Sequence, residues 1–439
     1  MKKTLSTVCV LLLVVAILPC SRAFARDSLT LARKAALFER DMQDRFIFDG
    51  QVPPKRRVPT SDIPFVSYNM PDNAYMTGIY LGTASFWYAA TKDEDALQAA
   101  REAFGALDLL LKVTGKKGLM ARSAIPVGVQ WSDDGIWRLS SDGKYRWRGD
   151  VSSDQIDGVM YGYSLFYDLA ANDEEKTLVA ANVDAIMSHI VENGMKIVGF
   201  DGKPTTWGKY YPKYVRSRER MNALLALQHL KVAAHVTGKE KFSDQYRRLV
   251  EEEGYAKLAV NARRMADPLK GGVNHSDDVL LFLAYYPLLR LETDPEVKSL
   301  YLDSLRRTWN GDRGYPGVKV EANPFYTFMY HAFTGDGSGD AAAIRALERF
   351  PLDMKFNRAT LEKYRNEFGF TFDPAPESEP TPPGTVVPID LRPKSWSAWV
   401  ADPYRSGTRT ADAGMEFTGL DFTMAYWLGR YHGYISAEQ

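Results

Sequence analysis

Apolar residues in this chain crowd into blocks of about five helical turns. Each block ends in a short polar turn and is followed by a second block that is apolar on one face only. The pattern repeats. Residues 77–94 (TGIYLGTASFWYAATKDE) overlay residues 157–174 (DGVMYGYSLFYDLAANDE), so that Gly78 meets Gly158, Gly82 meets Gly162, Phe86 meets Phe166 and Asp93-Glu94 meet Asp173-Glu174. Looser copies run over 221–237, turning at Gly238-Lys239, and over 277–292, turning at Thr293-Asp294-Pro295. Repetition at a long period predicts stacked helical hairpins, because one hairpin cannot bury its apolar face alone.

Helices apolar on nearly all sides are expected at 72–90, 153–171, 219–236, 276–291, 323–333 and 418–434, and these suit an inner layer. Charged, amphipathic partners are expected at 93–113, 174–192, 239–252, 295–309 and 339–350. Residues 27–46 carry Leu31, Ala35, Phe38 and Met42 on one stripe and complete the outer layer. The expected fold is all-α, a six-hairpin (α/α) toroid forming a single domain over 26–439. The Gly78/Gly82 and Gly158/Gly162 pairs each leave a bare patch one turn long, read as the close approach of a neighbouring backbone.

Connections within hairpins are short, whereas those between hairpins (114–152, 195–218, 254–275 and 357–417) are long and fall at the end where inner helices begin. Loops of this length in a compact domain are usually functional. Small β-hairpins are expected there at 119–127, at 135–148 with a turn at Asp142-Gly143, and at 195–207 with a turn at Asp201-Gly202. Proline-rich 371–393 reads as an extended strap.

Residues 1–25 have the form of an export signal: Lys2 and Lys3, an apolar stretch over 8–18, then Ala23-Phe24-Ala25. A secreted or periplasmic location is therefore expected. Pro19 fits poorly with lipidation of Cys20. Cys9 and Cys20 are the only cysteines, so the processed chain has no disulfide, thiol nucleophile or cysteine-bound zinc. Lys+Arg and Asp+Glu balance at 55 each, which gives no field favouring nucleic acid or an anionic membrane. Aromatic residues make up 12%, which suits both sugar stacking and a large helical core.

Each inner helix opens on polar residues. Asp72, Ser152, Arg218 and Asn274 are equivalent in the repeat, and 416–421 (EFTGLD) opens the last helix. Capping accounts for one such residue per helix, and Ser152 with Gln155 has the form of a capping box. The surplus is what capping leaves over: Asp154 and Asp157 after Ser152, Asp277 and Asp278 after Asn274. If the ring closes, these carboxyls share one mouth, and two carboxyls on different helices are what glycosidic hydrolysis needs. Asp154, on one stripe with Asp157 and Tyr161, is the first candidate, with Asp72 and Asp277 competing as its partner. Candidate substrate contacts are Trp147, Trp207 and Trp427 for stacking, Arg148 and Arg430 for a uronate carboxylate, and Asp157, Asp278, His275 and His432 for hydrogen bonding. No zinc or calcium motif is present, and no cofactor is expected.

Repeated hairpins with polar openings to the inner helices resemble the six-hairpin α/α-toroid superfamily of glycoside hydrolases, unsaturated-uronide hydrolases, polysaccharide lyases and sugar epimerases. The resemblance covers nearly the whole processed chain and rests on architecture. It implies an oligo- or polysaccharide substrate. By analogy with the uronide hydrolases, it gives Asp72 and Asp154 the acid–base role. Residues 274–278 (NHSDD) and 426–432 (YWLGRYH) look like signatures of a bacterial family. Three readings follow: a glycoside hydrolase with paired carboxylates, a uronate lyase or epimerase of the same fold, and a non-catalytic carbohydrate-binding or scaffold protein.

Overall fold

The computed structural model describes residues 27–131, 135–217, 220–263, 266–267, 272–312, 315–373, 382, 384–407 and 414–439. The expected leader and Arg218 lie outside them. Twelve helices among the described residues build the ring: α1 (Leu31–Asp41), α2 (Asn73–Thr91), α3 (Glu94–Lys112), α4 (Ser153–Leu169), α5 (Asp173–Glu192), α6 (Met221–Thr237), α7 (Glu240–Glu251), α8 (Ser276–Leu291), α9 (Pro295–Asn310), α10 (Pro324–Thr334), α11 (Asp340–Glu348) and α12 (Leu420–Tyr431). The even-numbered helices pack in chain order, and α12 returns against α2, which closes the circle. Each rests on an outer partner, with α1 backing α12 as the sixth pair. No helix among the described residues is long and apolar enough to cross a membrane.

Composition sorts the layers. In α6 every residue from Met221 to Leu230 is buried, whereas α7, 12 residues long, buries only Phe242 and Leu249. A side chain buried this fully contributes about 1.5–3 kcal/mol, so the ring rests on its inner layer. The glycines act as read from the sequence. A β-carbon on Gly78 would overlap the Gly158 carbonyl, and one on Gly162 would overlap the Gly78 carbonyl. Backbone contact there brings α2 and α4 closer than side chains would allow.

The ring is flattened, since α4 also touches α8 across it. Where the inner helices end, aromatic side chains plug the bore. Tyr286 meets Phe86 (5.4 Å between ring centres), Tyr161 (6.2 Å) and Phe333 (5.4 Å), and its hydroxyl bonds His432 Nε2 at 3.0 Å. The polar residues that open the inner helices lie at the opposite end.

The long connections sit at the end where the inner helices begin and form small sheets. β1 (Lys55–Arg57) lies between β2 (Ser67–Asn69) and β8 (Met415–Phe417), which ties the first connection to the last. β4 (Trp137–Leu139) and β5 (Tyr145–Arg148) make the expected hairpin around Asp142-Gly143, and β6 (Lys196–Val198) with β7 (Pro204–Lys209) makes the one around Asp201-Gly202. The hairpin expected over 119–127 does not form. Its strand β3 (Ser123–Pro126) instead adds to β5, Ser123 opposite Arg148. The connection 357–417 also contains an unexpected helix, Arg358–Phe368, whose Tyr364 is buried and donates to Asp41 at 2.7 Å. In the strap region, Phe372 makes a bridge to Asp27, and a single helical turn forms at Ile389–Leu391.

Candidate active site

Asp72 stands immediately before α2 but does not cap it. Its Oδ1 instead accepts from Arg122 Nη1 at 3.3 Å and from Gln155 Nε2 at 3.0 Å. Gln155 uses its other amide atom to accept from the Ser152 backbone (2.9 Å) and hydroxyl (2.7 Å). One side chain therefore closes the start of α4 and holds a carboxylate of the neighbouring hairpin. Arg122 is fixed by the carbonyls of Asp150 (2.7 Å) and Pro71 (3.1 Å). Asp150 adopts a left-handed backbone, φ 57°, and its carboxylate is tied to the Thr206 N–H at 2.8 Å. Such a conformation is tolerated by aspartate and marks a locally over-determined loop.

Asp154 lies one residue into α4, its Oδ1 accepting from Ser153 at 3.1 Å. One turn further, Asp157 is fully buried, and neither carboxylate oxygen has a hydrogen-bond partner among the described residues. Burial, and then the neighbouring Asp154, push the Asp157 carboxyl well above the usual range. Burial also raises Asp154, with Arg122 and Ser153 opposing it. Asp72 is raised by burial and by Asp154, against the pull of Arg122 and Arg148. It is the most open of the three, its side chain 37% exposed.

Tyr75, one turn below Asp72, shows how these acids meet. After burial, its ionisation is opposed by Asp157, Asp154, Asp72 and Asp277, four carboxyls from three hairpins around one phenol. Tyr210, from the connection before α6, feels Asp154 and Asp157 in the same way. Its hydroxyl meets His229 Nε2 at 3.2 Å, and burial holds that imidazole down at about 3, neutral. Asp277 accepts from Asn274 at 2.7 Å, so Asn274 pairs with the surplus acid of its own helix. Asp278 joins His275 and Glu321, with one ligand-type atom from each lying within 4.8 Å of the others. Asp402 sits 3.6 Å from His275, and Arg392 faces Glu321, so this group already has a cation beside it.

Several expected contacts lie elsewhere. Trp147 is buried against Phe200 (5.6 Å) and beneath Arg138 (5.5 Å), because β5 turns it into the sheet, so it offers no stacking surface. Trp427, Arg430 and His432 occupy the second half and end of α12, at the plugged end of the ring, because a helix begun at Leu420 carries them a full length away from the mouth. Glu416 and Asp421, from the opening of the last helix, are committed to ion pairs: Arg45 and Arg56 with Glu416, both at 2.7 Å, and Lys355 with Asp421 at 2.7 Å. Trp207, by contrast, is 59% exposed on β7 beside the mouth, and Arg148 ends β5 close enough for its charge to act on Asp72. Tyr75, Arg122 and Tyr210 were not singled out from the sequence. Only Tyr75 had a signal there, lying three residues after Asp72 on the same helical face.

A closed ring of six helical hairpins, with acids gathered where its inner helices begin, is an (α/α)6 toroid. Among solved structures the chain is similar to a sugar epimerase from a ruminal bacterium, at 11% identity over 91% of this chain and 99% of that one (TM-score 0.43). It is also similar to a GH76 alpha-mannanase of Bacteroides thetaiotaomicron, at 9% identity over 92% and 94% (TM-score 0.46). No protein-family model matches the sequence, and no curated protein matches it.

Proposed function

We propose that the protein is an exported carbohydrate-active enzyme that hydrolyses a glycosidic bond at the ring mouth. The observation that carries this reading is the convergence of Asp72, Asp154, Asp157 and Asp277 around Tyr75. A pair of carboxyls in contrasting surroundings is the requirement for this chemistry. Asp154, half-buried and raised, is the acid: its proton passes to the glycosidic oxygen as the bond to the anomeric carbon breaks. Asp72, held by Arg122 and Gln155, is the ionised partner. It either takes a proton from the water that attacks that carbon or attacks it directly, with water completing the exchange. Trp207 offers a stacking face.

The two guanidiniums beside Asp72 also suit a uronate, which keeps the lyase or epimerase chemistry as a second reading. That chemistry needs a base for the C5 proton, and burial makes Tyr75 and Tyr210 hold their protons more tightly, which favours hydrolysis. The test is product analysis on a panel of oligosaccharides. New reducing ends without ultraviolet absorbance, lost in Asp154→Asn, are expected. An unsaturated, absorbing product would replace hydrolysis with elimination, and full turnover in Asp154→Asn would remove the proposed acid.

A further inference from the structure

The connections 114–152 and 195–218, which lead into α4 and α6, carry 13 Lys and Arg against 5 Asp and Glu, in a chain whose totals balance at 55 each. The even balance of the whole chain hides this local excess. Five of the eight large apolar side chains exposed among the described residues lie on the same connections: Val127, Ile136, Leu139, Phe200 and Trp207. Apolar surface gathered in this way marks an interaction site, and the charge sets the sign of what binds there.

The β4–β5 hairpin brings both features onto one face. Alternation along β5 puts Arg146 and Arg148 on the same side, and Leu139 and Trp137 of β4 stand opposite them. Arg148 ends the strand close enough for its charge to act on Asp72, so this face begins beside the acids and runs outward. Arg146 follows about 7 Å further along the strand. It is exposed and lies 5.9 Å from the centre of the Trp131 ring, which packs 5.1 Å from that of Trp137. Among the described residues Arg146 has no carboxylate partner. The indole holds the guanidinium without neutralising it, which leaves a charged, planar fork to an anion from outside. Arg138 and Lys116 repeat the arrangement where the two connections meet, 5.6 and 4.7 Å from the centre of the Phe200 ring.

An aromatic side chain beside a guanidinium of this kind fits a sugar ring that bears a carboxylate. The indole takes the apolar face of the sugar and the fork takes the acid. We propose that this face of the β4–β5 hairpin is a subsite for an acidic, uronate-containing polysaccharide, and that it holds a sugar outside the one at the mouth. The inference deepens the glycosidase reading and rests on it in one respect: the face leads to carboxyls suited to glycosidic cleavage, which favours a sugar polymer over a nucleic acid.

The test measures binding without turnover, by calorimetry on the full chain carrying Asp154→Asn, against polygalacturonate, alginate and hyaluronan. At least one is expected to bind, and more weakly as salt rises. The methyl ester of that polymer, with the same backbone and no charge, should bind at least about tenfold more weakly. Arg146→Gln should weaken binding of the charged form by at least about the same factor, whereas Arg430→Gln, at the plugged end, should stay within about twofold. Arg146 is exposed, so its replacement leaves the core intact. The proposal is overturned if no polyuronate binds, if the ester binds equally, or if Arg146→Gln changes nothing. Tighter binding of dextran sulfate or oligothymidylate than of any polyuronate would overturn it as well. The two readings fail separately. A parent chain that hydrolyses a neutral glycan but binds no polyuronate loses the subsite alone, and one that binds polyuronate through Arg146 but cleaves nothing keeps the subsite and loses the chemistry.

Discussion

Asp421 and Asp157 are both aspartates buried in the opening turns of inner helices, at 3% and 0% exposure, and the fold uses them in opposite ways. The Asp421 carboxylate receives Lys355 at 2.7 Å and the Ala398 N–H at 2.6 Å, while its carbonyl receives the Trp399 indole at 2.6 Å. Those bonds pin the long last connection to α12. Among the described residues Asp157 receives no hydrogen bond, and the charge that acts on it is the like charge of Asp154. Burial is therefore a poor guide to function among acids. The partner list separates these two: Asp421, with a cation, holds architecture together, whereas Asp157, without one, keeps its proton.

The contrast is broken or upheld by substitution. Asp154→Asn should lower kcat by on the order of 10³, within the range for removing a general acid, with melting nearly unchanged. A variant that keeps turnover but melts early would put Asp154 in the architectural class. Asp421→Asn should do the reverse. It leaves Lys355 buried without its counter-charge, a loss of about 3–5 kcal/mol by chemical denaturation, while the folded fraction turns over normally. Gly78→Ala should act on both measures. The backbone of α4 cannot give way to a methyl there, so about 1–3 kcal/mol of stability is lost. Activity should fall with it, because the Gln155–Asp72 bond spans the same two helices. An alanine variant with normal stability and activity would show that the close approach is not required.

The hairpin repeat was legible because it depends on periodicity, which lies along the chain. Helix starts at Ser276 and Pro295 coincide with those read from the sequence, since each is announced by a local signal. The helix Arg358–Phe368 was missed although Leu361, Tyr364 and Phe368 keep helical spacing, because its charged face and the surrounding long connection masked a one-sided stripe. At the site, the surplus acids were readable because capping needs only one residue per helix. Arg122 was not. An arginine in a long connection becomes a partner of Asp72 only through the path of β3, which pairs with β5 instead of folding on itself. Trp427, Arg430 and His432 misled for a related reason. Composition marks a residue as suited to a sugar but not which end of a helix it occupies.

The smallest effect tests the comparison most directly. With its carboxyl raised well above the usual range, Asp157 keeps its proton in the folded chain when the unfolded chain, ionising near about pH 4, has lost it. The native state then binds one more proton than the unfolded state. The contribution is complete below the unfolded value and is lost as pH rises towards the folded one, at about 1.4 kcal/mol per pH unit. Asp157→Asn removes this term, since an amide does not titrate. Its stability relative to the parent should therefore climb from pH 5 upward in parallel denaturant titrations, whatever the offset at the starting pH. The paired acid Glu416 gives the opposite sense. Burial alone would raise it, but Arg45, Thr360 and the Asn357 N–H hold it below the usual range, so its contribution is present above the unfolded value and fades as pH falls. If the Asp157→Asn difference were flat, or sloped as for Glu416, Asp157 would be ionised against a cation and would belong with Asp421.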